Sequence, residues 1–182
     1  FVPILVKVAV KLVPSKGRID EEYHLEYIST GLLSTPELAI LEAKKEVSKF
    51  GNIIKKQTGF VKTLMTTHDK KEFEILLSRI KKYEDITDRV EAEIADYLTK
   101  VAQNNLSEST SKEIRGMIRI IANMERIGDI NYQLSLTIEK KNQEKVWFTP
   151  EQREYILQLF DLVDKAYNLM LTNLNSDYIS ID

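Results

Sequence analysis

The chain has 182 residues, enough for one domain with its own core, and its composition excludes several classes of protein. It contains no cysteine, which rules out disulfides, thiol catalysis and cysteine-based zinc sites. Hydrophobic residues make up 43% and charged residues 30%, which is typical of a folded globular domain and not of a disordered one. The net charge of −2 gives no electrostatic reason to bind nucleic acid, and we expect no nucleic-acid partner.

Residues 1–33 are predicted to be a connector that precedes the folded domain. The stretch FVPILVKVAVKLVP (1–14) is apolar and is interrupted by Lys7 and Lys11. Two interpretations stay open at this point. The stretch is either an amphipathic segment that covers a core, or the cytoplasmic exit of a preceding transmembrane helix, whose lysines would follow the positive-inside rule. A signal peptide is not indicated, because the basic residues follow the apolar run.

Residues 34–182 predict an all-α, antiparallel bundle of long helices. No proline occurs between Pro36 and Pro150, which favours long uninterrupted helices. The first helix is predicted to begin at Ser34 or Thr35 as its cap, and the last at Thr149 with Gln152 completing a capping box. Short polar stretches predict three turns, at 66–70, 103–110 and 140–148.

Apolar residues recur at alternating steps of three and four along each predicted helix, the spacing of a helical bundle seam. On the first helix the stripe consists of Ile40, Ala43, Val47, Phe50, Ile54, Val61 and Leu64. The second helix shows the spacing most regularly, at Phe73, Leu76, Ile80, Tyr83, Thr87, Val90, Ile94, Tyr97 and Val101. On the third helix Asn131 occupies one position of the stripe. On the fourth helix the stripe predicted to be buried consists of Tyr155, Leu159, Leu162, Ala166, Leu169 and Met170.

Two pairs of acids lie four residues apart, Glu84 with Asp88 and Glu125 with Asp129. Like charges at this spacing repel each other by a few tenths of a kcal/mol, and Gly128 costs about 1 kcal/mol more than alanine inside a helix. The centres of the pairs, residues 86 and 127, are equidistant from a point inside the predicted second turn. In an antiparallel hairpin both pairs therefore lie at the same height.

The same arithmetic places further acids at this height, with less support: Glu46 on the first helix, and Asp161 and Asp164 on the fourth. Carboxylates one helical turn apart lie about 5–6 Å from each other, close enough to share cations. Oxygen ligands suit iron, manganese, magnesium or calcium ions, and zinc is also possible; more than one ion could bind. The alternative is a solvated acidic face whose charges pair with neighbouring lysines and arginines.

No catalytic constellation is visible, and we predict that the chain is not an enzyme. The E-x-x-H motifs of di-iron bundles are absent, since the two histidines, His24 and His68, lie in an irregular stretch and in a turn. A carboxylate-bridged metalloenzyme is the weakest of the alternatives.

The acid motifs carry a resemblance to a known family. RIIANMERIGDINYQL resembles the signature helix of the PhoU family of phosphate regulators, and YEDITDRVEAEIADYLTKVAQNNLSE resembles its companion helix. GLLSTPELAILEAKKEVSKFG is similar to the PhoU-like domain at the C-terminus of bacterial sodium/phosphate cotransporters of the Na/Pi cotransporter II-related family. The resemblance covers roughly residues 30–175.

The resemblance implies metal ligands at Glu84, Asp88, Glu125 and Asp129, and less directly at Glu46. It implies a regulatory domain on the cytoplasmic face of the bacterial inner membrane, with the membrane domain of the same transporter as its partner. A soluble PhoU-like regulator of phosphate signalling that acts through protein contacts is the alternative, and a purely structural bundle is a further one.

The chain also departs from the family pattern. Asn123 stands where the family often has an acid, and the family fold has two three-helix repeats, of which the second is incomplete here. The fourth helix could therefore find its partner in another copy, as a homodimer.

Overall fold

The computed structural model describes residues 23–28, 33 and 35–176, and four long helices account for most of them. These are α1 (Pro36–Thr66), α2 (Lys70–Val101), α3 (Glu108–Gln143) and α4 (Pro150–Asn175). No strand occurs in the described part of the chain. The all-α class predicted from the sequence is confirmed, and the three turns fall within a few residues of their predicted positions.

Most of the predicted connector lies outside the described residues, and with it the expectation of a link to a membrane helix. In the part of the chain that the structure describes, no helix combines the length and the apolar character needed to cross a bilayer.

Side chains at the helix starts explain where three of the helices begin. Asp69 accepts a hydrogen bond from the backbone N–H of Glu72, and Ser107 accepts one from Thr110. Thr149 and Gln152 form the predicted capping box at the start of α4. Each such cap satisfies backbone donors that the first helical turn leaves free, and contributes about 1 kcal/mol.

Helix α1 is the centre of the bundle. It packs against α2, α3 and α4, and α2 packs against α3. Among the described helices, the backbone of α4 lies close to that of α1 alone. The arrangement is therefore a three-helix unit, α1–α3, with α4 laid against one side of α1.

The apolar core lies inside the three-helix unit. All seven predicted seam residues of α1 and all nine of α2 are buried. A larger cluster surrounds Phe50, Ile54 and Met124, and a smaller one lies near the α1–α2 turn around Leu64 and Ile80.

Helix α4 does not follow the prediction. Its expected stripe is largely exposed, and the one buried residue of this helix is Tyr167. Phe160 and Leu174, seven residues to either side of Tyr167, are partly buried on the same face. The prediction was wrong because α4 has apolar residues on two neighbouring faces, both at helical spacing, and the face that carries Phe160, Tyr167 and Leu174 is the one that contacts α1.

Candidate metal centre

Three carboxylates converge on one side of the α2–α3 pair. Glu84 and Asp88 lie one turn apart on α2, and Asp129 lies beside them on α3. Each offers one carboxylate oxygen, and the three oxygens all lie within 4.8 Å of one another. Glu84 is partly buried, whereas Asp88 and Asp129 are exposed. We refer to Glu84, Asp88 and Asp129 as the acid cluster.

Glu125, the fourth residue of the two predicted pairs, borders the acid cluster. Its side chain lies within hydrogen-bonding reach of the Asp129 carboxylate, one turn further along α3. The equal height inferred from residue numbers thus corresponds to real proximity between the acids of α2 and α3.

A close approach of α2 to α3 beside Gly128 brings the acids together. A Cβ atom added to Gly128 would lie 2.9 Å from the Thr87 hydroxyl oxygen and 3.4 Å from the side chain of Ile54. The Thr87 hydroxyl in turn donates a hydrogen bond of 2.8 Å to the backbone carbonyl of Glu84. A glycine next to Asp129 therefore lets α2 approach closely at the height of the acid cluster.

Electrostatics at the cluster disfavour the ionised forms of its two α2 acids. Burial, followed by the charges of Asp88, Asp85 and Asp129, raises the pKa of Glu84 above its ordinary value, and Lys81 offsets this in part. Burial, followed by the Asp129 and Asp85 carboxylates, raises the pKa of Asp88.

The pKa of Glu125 is shifted in the same direction. Burial is again the first cause, followed by the Asp129 and Asp88 carboxylates and the contact with Asp129. A bound cation would reverse these effects by offering opposite charge to every carboxylate.

The donor set fits a hard cation. Mg²⁺ binds oxygen at about 2.1 Å and Ca²⁺ at about 2.4 Å, so ligands on opposite sides of one ion lie about 4–5 Å apart. The spacing within the acid cluster is compatible with these values. Carboxylate oxygen also suits manganese and iron, whereas zinc more often binds nitrogen or sulfur.

Glu46 lies elsewhere and has a different set of partners. Its carboxylate is fully buried and accepts hydrogen bonds from the Tyr23 hydroxyl at 2.9 Å, the Tyr27 backbone N–H at 2.6 Å and the Glu26 backbone N–H. Burial, followed by the bond to Glu46, raises the pKa of Tyr23. Glu46 therefore anchors residues 23–28 to α1, and the structure does not bring it into the acid cluster.

Asp161 and Asp164 also lie apart from the cluster. Asp161 pairs with Lys62 at 2.5 Å, and Asp164 pairs with Lys55 at 3.4 Å, so both acids connect α4 to α1. Residue numbers counted from the turns predict only the height of an acid along the bundle. They do not predict the side of the bundle on which it lies, and α4 lies against α1 rather than beside the α2–α3 pair.

A buried polar chain behind the cluster was not predicted. Gln57 donates to the Gly128 carbonyl at 3.3 Å, and Asn131 donates to Gln57 at 3.2 Å and to Thr58 at 2.8 Å. Thr58 also shares a hydrogen bond of 2.9 Å with Tyr167 of α4. The signal available in the sequence was a polar residue, Asn131, at an apolar seam position of α3.

A comparison with protein families matches the central part of the chain. Residues 47–136 match the PhoU domain model. This range contains the whole acid cluster, together with Glu125 and Gly128. The resemblance of the acid motifs to the PhoU family is thereby supported for the central part of the chain.

Curated relatives are similar over nearly the whole chain. The chain is 21% identical to the "Putative inorganic phosphate export protein YjbB" of Escherichia coli O157:H7 and of strain K12, and 20% identical to the protein of the same name in Salmonella typhimurium. Each alignment covers 174 residues, which is 96% of this chain and 30% of the relative. The chain thus spans less than a third of the length of these relatives. No solved structure matches it significantly.

Proposed function

We propose that the chain is a PhoU-like regulatory domain that binds metal ions at the acid cluster and controls a transporter of inorganic phosphate. The match of residues 47–136 to the PhoU domain supports the regulatory role, and the similarity to proteins named for phosphate export supports the link to phosphate transport. The single observation that carries the metal site is the convergence of three carboxylate oxygens within 4.8 Å. In this proposal the domain regulates and does not catalyse.

The transporter in this proposal is sodium-dependent, and its membrane domain is the partner of the chain. The domain would lie on the cytoplasmic face of the bacterial inner membrane. The similarity of residues 31–51 to the PhoU-like domain of Na/Pi cotransporter II-related proteins supports this setting. The relatives are more than three times as long as the region they share with the chain, which leaves room in them for a membrane part.

The proposed action of the metal follows from where its ligands lie. Glu84 and Asp88 belong to α2 and Asp129 to α3, so an ion held by all three ties the two helices together. The ion supplies the positive charge that offsets the repulsion among the carboxylates. Glu125 stands close enough to Asp129 to join the ligand set or to begin a second site.

Metal content and affinity provide the direct test. The purified chain would be dialysed against magnesium, manganese, iron, calcium or zinc ions, and then compared with the Asp88→Asn/Asp129→Asn variant by elemental analysis and calorimetry. We expect stoichiometric metal in the unaltered chain and at least about a tenfold loss of affinity in the variant, because two of three anionic ligands become neutral.

A matched control removes two negative charges elsewhere on the same helices. Asp96 and Glu108 are exposed and pair with Lys100 and Lys112, away from the acid cluster. The Asp96→Asn/Glu108→Gln variant should bind metal as the unaltered chain does. Equal losses in both double variants, or no binding by the unaltered chain, would rule out a metal site at the acid cluster.

The regulatory part needs a separate experiment in cells. Uptake and export of radioactive phosphate would be compared between the longer transporter that contains this domain, the same protein without the domain, and the Asp88→Asn/Asp129→Asn variant. We expect loss of the response to phosphate supply in the last two. Unchanged transport and unchanged regulation after deletion would overturn the coupling between this domain and the transporter.

A further inference from the structure

Helix α4 exposes a regular apolar stripe that no described helix covers. Tyr155, Leu159, Leu162, Ala166 and Leu169 follow each other at steps of four, three, four and three residues, and all five are exposed. This is the spacing by which one helix packs against another in a bundle or coiled coil. We name these five residues the α4 seam.

An open groove runs beside the α4 seam, between α3 and α4. It has a volume of about 520 Å³, and Ala166 and Leu169 of the seam form part of its wall. Ile120 and Ile127 of α3 line the opposite wall. Leu134 lies two helical turns beyond Ile127 on the same side of α3 and is also exposed, which extends the apolar wall.

The groove and the seam carry almost no net charge. Lys44 is the charged residue among those that line the groove, and it forms an ion pair of 3.1 Å with Glu113. Asn123 and Asn173 are neutral polar residues at its edge. A surface without net charge can face an identical surface without repulsion, which a twofold-symmetric contact requires because each patch meets its own copy.

We propose that the α4 seam and the α3–α4 groove form the interface of a homodimer, in which α4 of each chain packs into the groove of a second copy. A helix and a groove that accepts a helix lie next to each other on the same chain, so one twofold axis satisfies both at once. The four helices α3 and α4 of both copies then form a bundle around a shared apolar core.

The available area agrees with such a dimer. At about 100–200 Å² for a fully exposed large apolar side chain, the seam with Val163, Ile130 and Leu134 offers about 500 Å² of apolar surface. A stable interface of standard size buries about 800 Å² per partner, of which about 65% is apolar in homodimers. The two apolar areas are of the same size.

This interface is separate from the candidate metal site. The acid cluster lies on α2 and α3, whereas α2 contributes nothing to the lining of the groove. The dimer is therefore independent of metal binding, and the Asp88→Asn/Asp129→Asn variant should dimerise as the unaltered chain does. Failure of one proposal leaves the other intact.

Sedimentation equilibrium tests the dimer directly. The unaltered chain should show twice the monomer mass of 21.1 kDa at concentrations of about 10–100 μM. The Leu162→Glu variant should weaken the dimer by at least about a hundredfold, because it places two charges at the centre of an apolar contact. Leu162 is 59% exposed within one chain, so the folded monomer tolerates the change, which circular dichroism would verify.

The matched control is Ile75→Glu, which introduces the same charge at a 50% exposed residue of α2. This variant should dimerise normally. A cysteine at the seam gives a second readout, since the natural chain has none. Leu162→Cys should react more slowly with a thiol reagent at concentrations where the chain is dimeric than where it is monomeric, and Ile75→Cys should react equally fast at both, because only the seam is covered in the dimer. A monomer throughout the concentration range, or a dimer that Leu162→Glu leaves unchanged, would overturn the proposal.

Discussion

The α2–α3 contact and the α1–α4 contact are built differently. Between α2 and α3 the helices touch at Gly128 and Thr87, apolar residues fill the space beneath, and the charged side chains stand outside. Between α1 and α4 a short apolar row around Tyr167 is bordered by polar pairs at the surface, such as Ser48 with Asn175 and Lys62 with Asp161. The apolar seam of α4 meanwhile points away from α1.

This difference indicates unequal stability within the chain. Exposed ion pairs contribute about 0–1 kcal/mol each, whereas burial of one large apolar side chain contributes about 1.5–3 kcal/mol. The three-helix unit α1–α3 therefore carries most of the folding free energy. Helix α4 should be the first part of the chain to open, because it has few buried apolar contacts.

A substitution in the core should show the largest effect. Phe50→Ala removes a fully buried ring from the centre of α1 and should lower the free energy of unfolding by about 3–5 kcal/mol. Leu159→Ala on the exposed seam should change it by less than about 0.5 kcal/mol in the monomer. Urea denaturation of both variants, at a concentration where the chain is monomeric, gives the comparison. Similar losses for the two would mean that α4 is as firmly integrated as α1.

Gly128→Ala should have the next largest effect and addresses the α2–α3 contact. The added methyl group would lie 2.9 Å from the Thr87 hydroxyl oxygen, so either Thr87 gives up its hydrogen bond to Glu84 or α2 moves away from α3. We expect a cost of about 1–3 kcal/mol, which exceeds the gain in helix propensity. Metal affinity should fall as well, because either change disturbs the acids beside this contact. Thermal unfolding and calorimetric titration measure the two effects.

Gly116 provides the control on the same helix. A Cβ atom there would meet nothing within 4 Å, so Gly116→Ala should stabilise the chain by up to about 1 kcal/mol and leave metal affinity unchanged. Opposite signs for the two alanine variants would establish the close approach at Gly128. If both stabilise the chain, the tight α2–α3 contact is refuted.

Tyr167→Phe should have a smaller effect, located at the α1–α4 contact. It removes the hydroxyl that bonds Thr58 and leaves the ring in place, at a cost of about 1 kcal/mol. Hydrogen exchange should quicken along α4 while α1–α3 keep their protection, because the two regions open separately. Uniform acceleration in all four helices would instead show a single cooperative unit.

The sequence predicted the three-helix unit well for a physical reason. In α1 and α2 the apolar residues occupy one regular stripe, so only one face of each helix can be buried, and residues such as Ile54 and Val90 lie in the core as expected. Counting residues from the turn was sufficient to predict that the acids of α2 and α3 lie close together, because both helices belong to one hairpin with a short turn.

The packing of α4 and the positions of Glu46 and Asp161 could not be predicted from the spacing of residues along the chain. Helix α4 has two apolar faces, and periodicity alone could not say which of them contacts α1. Height along the bundle likewise could not distinguish Asp161, which faces Lys62, from an acid that faces the cluster. Glu46 was predicted to be a metal ligand, but its carboxylate accepts hydrogen bonds from residues 23 and 27. This contact joins parts of the chain about twenty residues apart, and no local sequence pattern indicates it.

The smallest expected effect is the pH dependence that the acid cluster gives to the α2–α3 contact. Burial, followed by neighbouring carboxylates, raises the pKa of Glu84 and of Asp88. Such groups bind a proton more tightly in the folded chain than in the unfolded chain, where their pKa is about 4. Their ionisation therefore destabilises the fold above the folded-state pKa, and this penalty fades as the pH falls through that pKa towards the unfolded value.

In metal-free buffer the unaltered chain should consequently gain stability, relative to the Asp88→Asn/Asp129→Asn variant, as the pH falls from neutral towards the unfolded-state pKa of about 4. The gain is small because Asp88 and Asp129 are exposed to solvent, which screens their interaction. The urea midpoints of both proteins across this range give the stability difference between them. Groups that titrate elsewhere in the chain contribute equally to both proteins and drop out of this difference. Saturating Mg²⁺ should reverse the sign of its pH dependence, because the ion stabilises the ionised acids. Parallel curves for the two proteins, with and without Mg²⁺, would mean that the carboxylates do not interact and that the α2–α3 contact owes nothing to their charge.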